Sequence, residues 1–101
     1  MNLTKNLVGS RLTLKLAGRF DFSAHHVFRD TFKEAMADPK VAFVQIDLTA
    51  VDYINSSALG MLLLSRENAQ AAGKSISLAN PQGTVKDVLR IANFDRLFTI
   101  E

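Results

Sequence analysis

The stretch VAFVQIDLTAVDYINSSALGMLLL, residues 41–64, gives the clearest indication of the fold of this 101-residue chain. Its first part, VAFVQIDL at 41–48, is rich in β-branched and aromatic residues and predicts an interior strand buried on both faces. A six-residue loop then leads to NSSALGMLLL at 55–64, where two hydroxyl side chains stand directly in front of a nearly unbroken apolar run. This second part predicts a helix over residues 57–72, which ends at Gly73.

Upstream of this stretch, the pattern changes from a strand period to a helix period. Residues 12–16 alternate leucine with polar side chains and predict a half-buried strand that Gly18 breaks. Residues 3–8 are its expected hairpin partner, with the turn near residues 9 and 10. Apolar residues at helical spacing then predict a helix over 24–37, for which Ser23 is the expected N-cap.

Downstream, SISLA at 75–79 predicts a further strand. Asn80 and Pro81 are expected to cap and open a third helix, which Asn93 ends in the left-handed region. LFTI at 97–100 predicts a closing strand. The resulting order, ββαβαβαβ, predicts an α/β fold with a mixed sheet whose central strands are parallel and joined by right-handed crossovers.

Composition indicates one small domain over residues 1–101, since 48% hydrophobic residues suffice for a single core. The net charge of +2 is spread along the chain, so no basic stripe predicts a nucleic-acid partner. Cysteine is absent, which fits a reducing compartment. No run of about 18 apolar residues is present to span a bilayer. These features predict a cytoplasmic protein without membrane insertion.

Ser56 and Ser57 allow two interpretations. Either serine could cap the helix by accepting a hydrogen bond from an unpaired amide. The same position also suits a phosphate, because free amides and the helix dipole favour negative charge there. Phosphorylation would add about −1.5 to −2 charges beside an apolar helix surface and would disfavour an interface there. The face predicted to pack on the sheet contains Leu59, Leu62 and Leu63, whereas Met61 and Leu64 point away from it.

The segment IDLTAVDYINSSALGMLL resembles the signature of the STAS domain family, and the upstream LAGRFD resembles the acidic turn of that family. The resemblance covers essentially the whole chain and is closest to bacterial anti-sigma factor antagonists. It implies a STAS-type fold and a regulatory protein that is not an enzyme and needs no cofactor. It also implies phosphorylation of Ser56 by a partner that is both a serine kinase with a histidine-kinase-like ATPase domain and an anti-sigma factor. A serine phosphatase reverses the modification in that family.

By the same resemblance, the unphosphorylated antagonist binds the kinase, and the phosphorylated form releases it. Two positions depart from the family pattern, because an asparagine replaces the usual aspartate before Ser56 and an alanine replaces the usual glycine after Ser57. The implied neighbourhood of the phosphorylation site consists of Asp21, Asn55 and Ser57, and the implied partner-binding residues are Ala58, Met61 and Leu64.

Three alternatives accompany this interpretation. A constitutive STAS adaptor subunit, such as those of lipid-transport assemblies, would bind its partner without control by phosphate. A hydrolase could use Ser56 with His25 and Asp47, although the sequence lacks a G-x-S-x-G elbow. A metal site on His25 and His26 is disfavoured, because adjacent residues on a helix project about 100° apart.

Overall fold

A computed structural model describes residues 1–101 and contains five strands and three helices in the predicted ββαβαβαβ order. Short 3-10 turns over Phe22–Ala24 and Phe94–Arg96 precede the first helix and the last strand. The strands are β1 (Asn2–Val8), β2 (Arg11–Phe20), β3 (Phe43–Ile54), β4 (Ser75–Ala79) and β5 (Thr99–Ile100), and the helices are α1 (His25–Ala37), α2 (Ser56–Ala71) and α3 (Gly83–Ile91).

The five strands form one sheet in the order β1-β2-β3-β4-β5. The β1–β2 hairpin is antiparallel, and every other neighbouring pair is parallel, so the predicted mixed sheet is confirmed. Alternate residues of β2 and β3 join buried residues of all three helices in one cluster of 22 side chains. The hydrophobic core therefore lies on one face of the sheet.

The opposite face of the sheet is polar. Thr13 donates a 3.3 Å hydrogen bond to Gln45, whose side-chain amide donates to Glu101. The buried hydroxyl of Ser77 also donates to Glu101, at 3.1 Å. The prediction that β3 is buried on both faces is therefore wrong, because one of its faces carries this hydrogen-bonded network.

Both central strands are longer than their sequences predict. Gly18 does not end β2, because its φ of +93° accommodates a bulge, seen as a register shift between Gly18 and Arg19. The six-residue loop predicted after residue 48 is also wrong, since β3 continues through it to Ile54. Phe20 pairs with Ile54, so β2 and β3 end side by side at one edge of the sheet.

Two predicted helix caps are wrong. The amide and hydroxyl of Ser23 both donate to Asp21, so Asp21 caps the 3-10 turn and α1 begins only at His25. Asn80 has a left-handed φ of 55°, which is incompatible with the extended backbone of an N-cap, and Gln82 takes that place before α3. The left-handed residues predicted after α2 and α3 are confirmed as Gly73 and Asn93.

The buried face of α2 differs from the leucine face that the sequence predicts. Leu62 is fully buried as expected, whereas Leu63 is 37% exposed and Leu59 is only partly buried. Small side chains replace them against the sheet, because an alanine or serine lets the helix backbone approach closely. The buried residues are Ala58, Leu62, Ser65 and Ala69.

Candidate functional site

The candidate site begins at Asn55, between the end of β3 and the start of α2. The backbone of Asn55 is extended, and its side-chain oxygen accepts a 3.1 Å hydrogen bond from the amide of Ala58. Asn55 is therefore the N-cap of α2. The interpretation of the serines as helix caps is wrong, and Ser56 and Ser57 are instead exposed residues of the first helical turn.

The start of α2 is electrostatically suited to an added negative charge. The amides of its first turn lack intrahelical partners, and the helix dipole places partial positive charge there. No acidic residue lies in the first turn of α2, and the capping side chain is neutral. Nothing within this helix therefore already compensates the positive end of the dipole near Ser56.

Asp21 lies at the same edge of the sheet. It follows Phe20, which pairs with Ile54, so Asp21 and Asn55 leave neighbouring parallel strands side by side. Two hydrogen bonds lower the pKa of Asp21 below its usual 3.8. The bond from the Ser23 hydroxyl has the larger effect, and the bond from the Ser23 amide has the smaller one. Asp21 is therefore ionised at neutral pH and places a fixed negative charge at the edge that carries Ser56.

The sequence does not predict the cation that lies near this edge of the sheet. The guanidinium of Arg19 stacks 3.9 Å from the ring centre of Tyr53 and lies 3.5 Å from the carboxylate of Asp21. Arg19 and Tyr53 are 34 positions apart in the chain. They are paired across β2 and β3 because the register of the two strands shifts at the bulge between Gly18 and Arg19. No local signal in the sequence indicates this contact.

The outward face of α2 carries the predicted partner surface, with one correction. Leu64 is 52% exposed, and Met61 is partly buried in a groove between α1 and α2. Ala58, by contrast, is fully buried against the core. Its methyl group is thus unavailable to a partner, whereas Gly60, one turn after Ser56, is exposed.

Replacing the cap residue should destabilise the protein. Asn55→Ala removes the acceptor for the Ala58 amide, and we expect the free energy of unfolding to fall by about 1 kcal/mol. Asn55→Asp keeps the acceptor and should retain the stability of the wild type. Urea unfolding measures both effects, with Asn68→Ala on the exposed side of α2 as the control. An unchanged urea midpoint for Asn55→Ala would show that the cap contributes nothing.

Gly60 weakens α2 and should tolerate a larger residue structurally. An added Cβ at Gly60 meets no atom within 4 Å, and its φ is not positive. We expect Gly60→Ala to stabilise the protein by about 0.5–1 kcal/mol, because alanine loses less backbone entropy in a helix. Gly9 is the matched control: it has equal space but a φ of +60°, so Gly9→Ala should destabilise. Equal shifts in the thermal midpoint would contradict the helical explanation.

The residues of the alternative sites are not brought together. Asp47 lies seven residues before the end of β3, roughly 20 Å away along an extended strand, and its carboxylate accepts from Thr49. His25 stacks on Phe22 with a centroid distance of 5.4 Å. Ser56, His25 and Asp47 therefore form no triad. The structure also contains no group of three or more His, Cys, Asp or Glu side chains placed to hold a metal ion.

A mixed five-stranded sheet with three helices packed on one face matches the STAS fold. The family model described as "Mlab, STAS domain" matches residues 3–99. A STAS-domain-containing protein of Pseudomonas aeruginosa strain UCBPP-PA14 is 46% identical over 92 residues, which are 91% of this chain and 89% of the relative. This chain belongs to the STAS domain family, as its resemblance to that family predicts.

Solved structures support the same fold. The Bacillus anti-sigma factor antagonist SpoIIAA in its unphosphorylated form matches with a TM-score of 0.83 at 18% identity, covering 99% of this chain and 88% of SpoIIAA. Its phosphorylated form matches with a TM-score of 0.76 at 17% identity, covering 99% of this chain and 91% of that one. A murine Solute Carrier 26 family anion transporter matches with a TM-score of 0.72 at 14% identity, covering 84% of this chain but only 14% of the transporter. None of the three helices of the present protein is long and apolar enough to cross a membrane.

Proposed function

We propose that this protein is a cytoplasmic, phosphorylation-controlled anti-sigma factor antagonist. It binds a serine kinase/anti-sigma factor through the outward face of α2 when Ser56 is unphosphorylated and releases it when Ser56 carries a phosphate. The exposed hydroxyl of Ser56 is the observation that carries this proposal. Because Asn55 supplies the cap, Ser56 accepts a phosphate without loss of a hydrogen bond that holds α2 in place.

The phosphate acts on the surface and not on the fold. It adds about −1.5 to −2 charges at the start of a helix, where the dipole tolerates them. Gly60 lies one turn further along and exposed leucines follow it, so a partner seated there would bury the new charge beside apolar side chains. The carboxylate of Asp21 at the same edge adds a negative charge, which the guanidinium of Arg19 at 3.5 Å partly compensates. The charged surface therefore loses its partner.

The solved forms of SpoIIAA support this mechanism by analogy. That protein has been observed unphosphorylated and phosphorylated, and both forms share the fold of the present chain. A switch that leaves the fold intact is what a phosphate on an exposed first-turn serine would produce. The partners we propose are the serine kinase with its histidine-kinase-like ATPase domain and a serine phosphatase that restores the free hydroxyl.

A constitutive STAS adaptor is the second candidate. It is favoured by the occurrence of the same fold as a minor part of a much longer anion transporter. In that role the outward face of α2 would hold a permanent partner, and Ser56 would be an ordinary exposed side chain. The two candidates therefore differ in whether Ser56 is ever modified.

Mass spectrometry of protein purified from its own host tests the proposal. Fragmentation across residues 54–66 should place a phosphate on Ser56, with an occupancy that changes between growth conditions. Purified cognate kinase should modify the wild type and the Ser57→Ala variant but not Ser56→Ala. Absence of phosphate under every condition, with a kinase that is active on other substrates, would favour the constitutive adaptor.

A further inference from the structure

A groove between α1 and α2 has the size and lining of a small-molecule site. Its volume is about 610 Å³, within the range of roughly 300–1,000 Å³ that is usual for ligand pockets. The nearly fully buried rings of Phe28 and Phe32 line it from α1, and Met61 and Leu64 line it from α2. The two rings form the floor of the groove, and the less buried Met36, Met61 and Leu64 can contact the body of a hydrophobic ligand above it.

The charges that line the groove are all of one sign. Arg29 and Lys33, at successive turns of α1, are the charged residues that line it, and no aspartate or glutamate does so. Arg29 pairs with Asp30 at 3.3 Å and lies 3.5 Å from Nδ1 of His26, whereas Lys33 makes no ion pair. The α2 wall contributes only uncharged side chains. One positive charge, that of Lys33, is therefore uncompensated, and it stands beside a guanidinium able to donate further hydrogen bonds.

We propose that this groove binds a monomeric amphiphilic carboxylate. Its carboxylate is held by Lys33 and Arg29 on the α1 rim, and its aliphatic body lies between Phe32 and Leu64. A singly charged head matches the single uncompensated cation, and the planar fork of arginine suits a carboxylate. This site is separate from Ser56, although Met61 and Leu64 belong both to the groove and to the proposed partner surface. A bound carboxylate would therefore compete with the partner.

Decanoate below its micelle concentration is the probe, and backbone amide NMR shifts of the full-length protein are the readout. We expect saturable shifts confined to α1 and α2, with decanamide, the uncharged analogue, binding about tenfold more weakly because it lacks charge-assisted hydrogen bonds. The double variant Arg29→Gln/Lys33→Gln should show the same loss for decanoate. The matched control is Lys86→Gln/Arg90→Gln on α3, which should bind decanoate like the wild type.

Three results would overturn the proposal: shifts that do not saturate, equal affinity for decanoate and decanamide, or binding only to anionic phospholipid vesicles. The measurement is repeated on Ser56→Ala and Ser56→Asp, which should bind decanoate with the affinity of the wild type. Failure of the phosphorylation switch would leave decanoate binding intact, and failure of decanoate binding would leave the switch intact. The two proposals are thus tested separately.

Discussion

Ser56→Asp is expected to weaken binding to the kinase partner at least about 30-fold, because a buried, unpaired charge at an interface costs roughly 2–5 kcal/mol. Ser56→Ala should bind at least as tightly as the wild type and resist release, since it presents the uncharged surface permanently. Calorimetry or surface plasmon resonance with the purified kinase measures both affinities. Binding of both variants with the wild-type affinity would instead support a constitutive adaptor.

Loss of fold cannot account for the expected effect of Ser56→Asp. An aspartate on the first turn of a helix interacts favourably with the dipole, by about 0.3–1 kcal/mol, so the variant should unfold at the same urea concentration as the wild type or slightly higher. Thr84→Asp is the matched control, because Thr84 is an exposed residue of the first turn of α3 and lies outside the proposed partner surface. It should weaken partner binding less than Ser56→Asp does.

Leu62→Ala should have the largest effect on stability among the α2 leucine variants. Leu62 is fully buried, and its truncation leaves a cavity against the sheet that should cost about 2–5 kcal/mol. Leu64→Ala, at a residue that is 52% exposed, should change the free energy of unfolding by less than about 1 kcal/mol. Urea unfolding with a shared m-value compares the two.

Partner binding should rank these leucines in the opposite order. Leu64 lies on the outward face beside Met61, so Leu64→Ala should lower the affinity for the kinase while leaving the fold intact. Leu63→Ala is a control with an intermediate expected effect on affinity, since the 37% exposure of Leu63 lies between the exposures of Leu62 and Leu64. Equal destabilisation by Leu62→Ala and Leu64→Ala would contradict the orientation of α2 in which Leu62 is buried against the sheet and Leu64 is exposed.

Local patterns predicted most of the architecture. The alternation in residues 12–16 and the helical spacing from residue 24 indicate which side chains are buried on folding. This burial pattern is visible within a few residues of the chain. The strand at 75–79 was predicted for the same reason, whereas Gly73 and Asn93 were predicted because glycine and asparagine tolerate the left-handed backbone at helix ends. The family resemblance added Ser56 as the candidate phosphorylation site, a role that remains a proposal.

The errors have a common physical origin in contacts between distant segments. Residues 49–54 are a strand and not a loop because β2 continues beyond Gly18 and supplies hydrogen-bond partners as far as Phe20. Leu63 faces outward because the small side chains of Ala58, Ser65 and Ala69 fit closely against the sheet. Gly18 is a local signal of the bulge in β2, but a glycine alone does not distinguish a bulge from the end of a strand, and the rotation of α2 leaves no signature in its own sequence.

Local periodicity and composition were enough to predict the element order, the mixed α/β class and an apolar helix after the serine pair. The structure was needed to show that Asn55 caps α2 and leaves Ser56 exposed, because the pairing of β3 with β2 as far as Ile54 fixes the start of α2 at Ser56. It also decided that Asp21 and Arg19 stand at the same edge, and that α1 and α2 enclose a groove with cations on one wall. These features arise from strand register and helix packing, which join residues far apart in the chain.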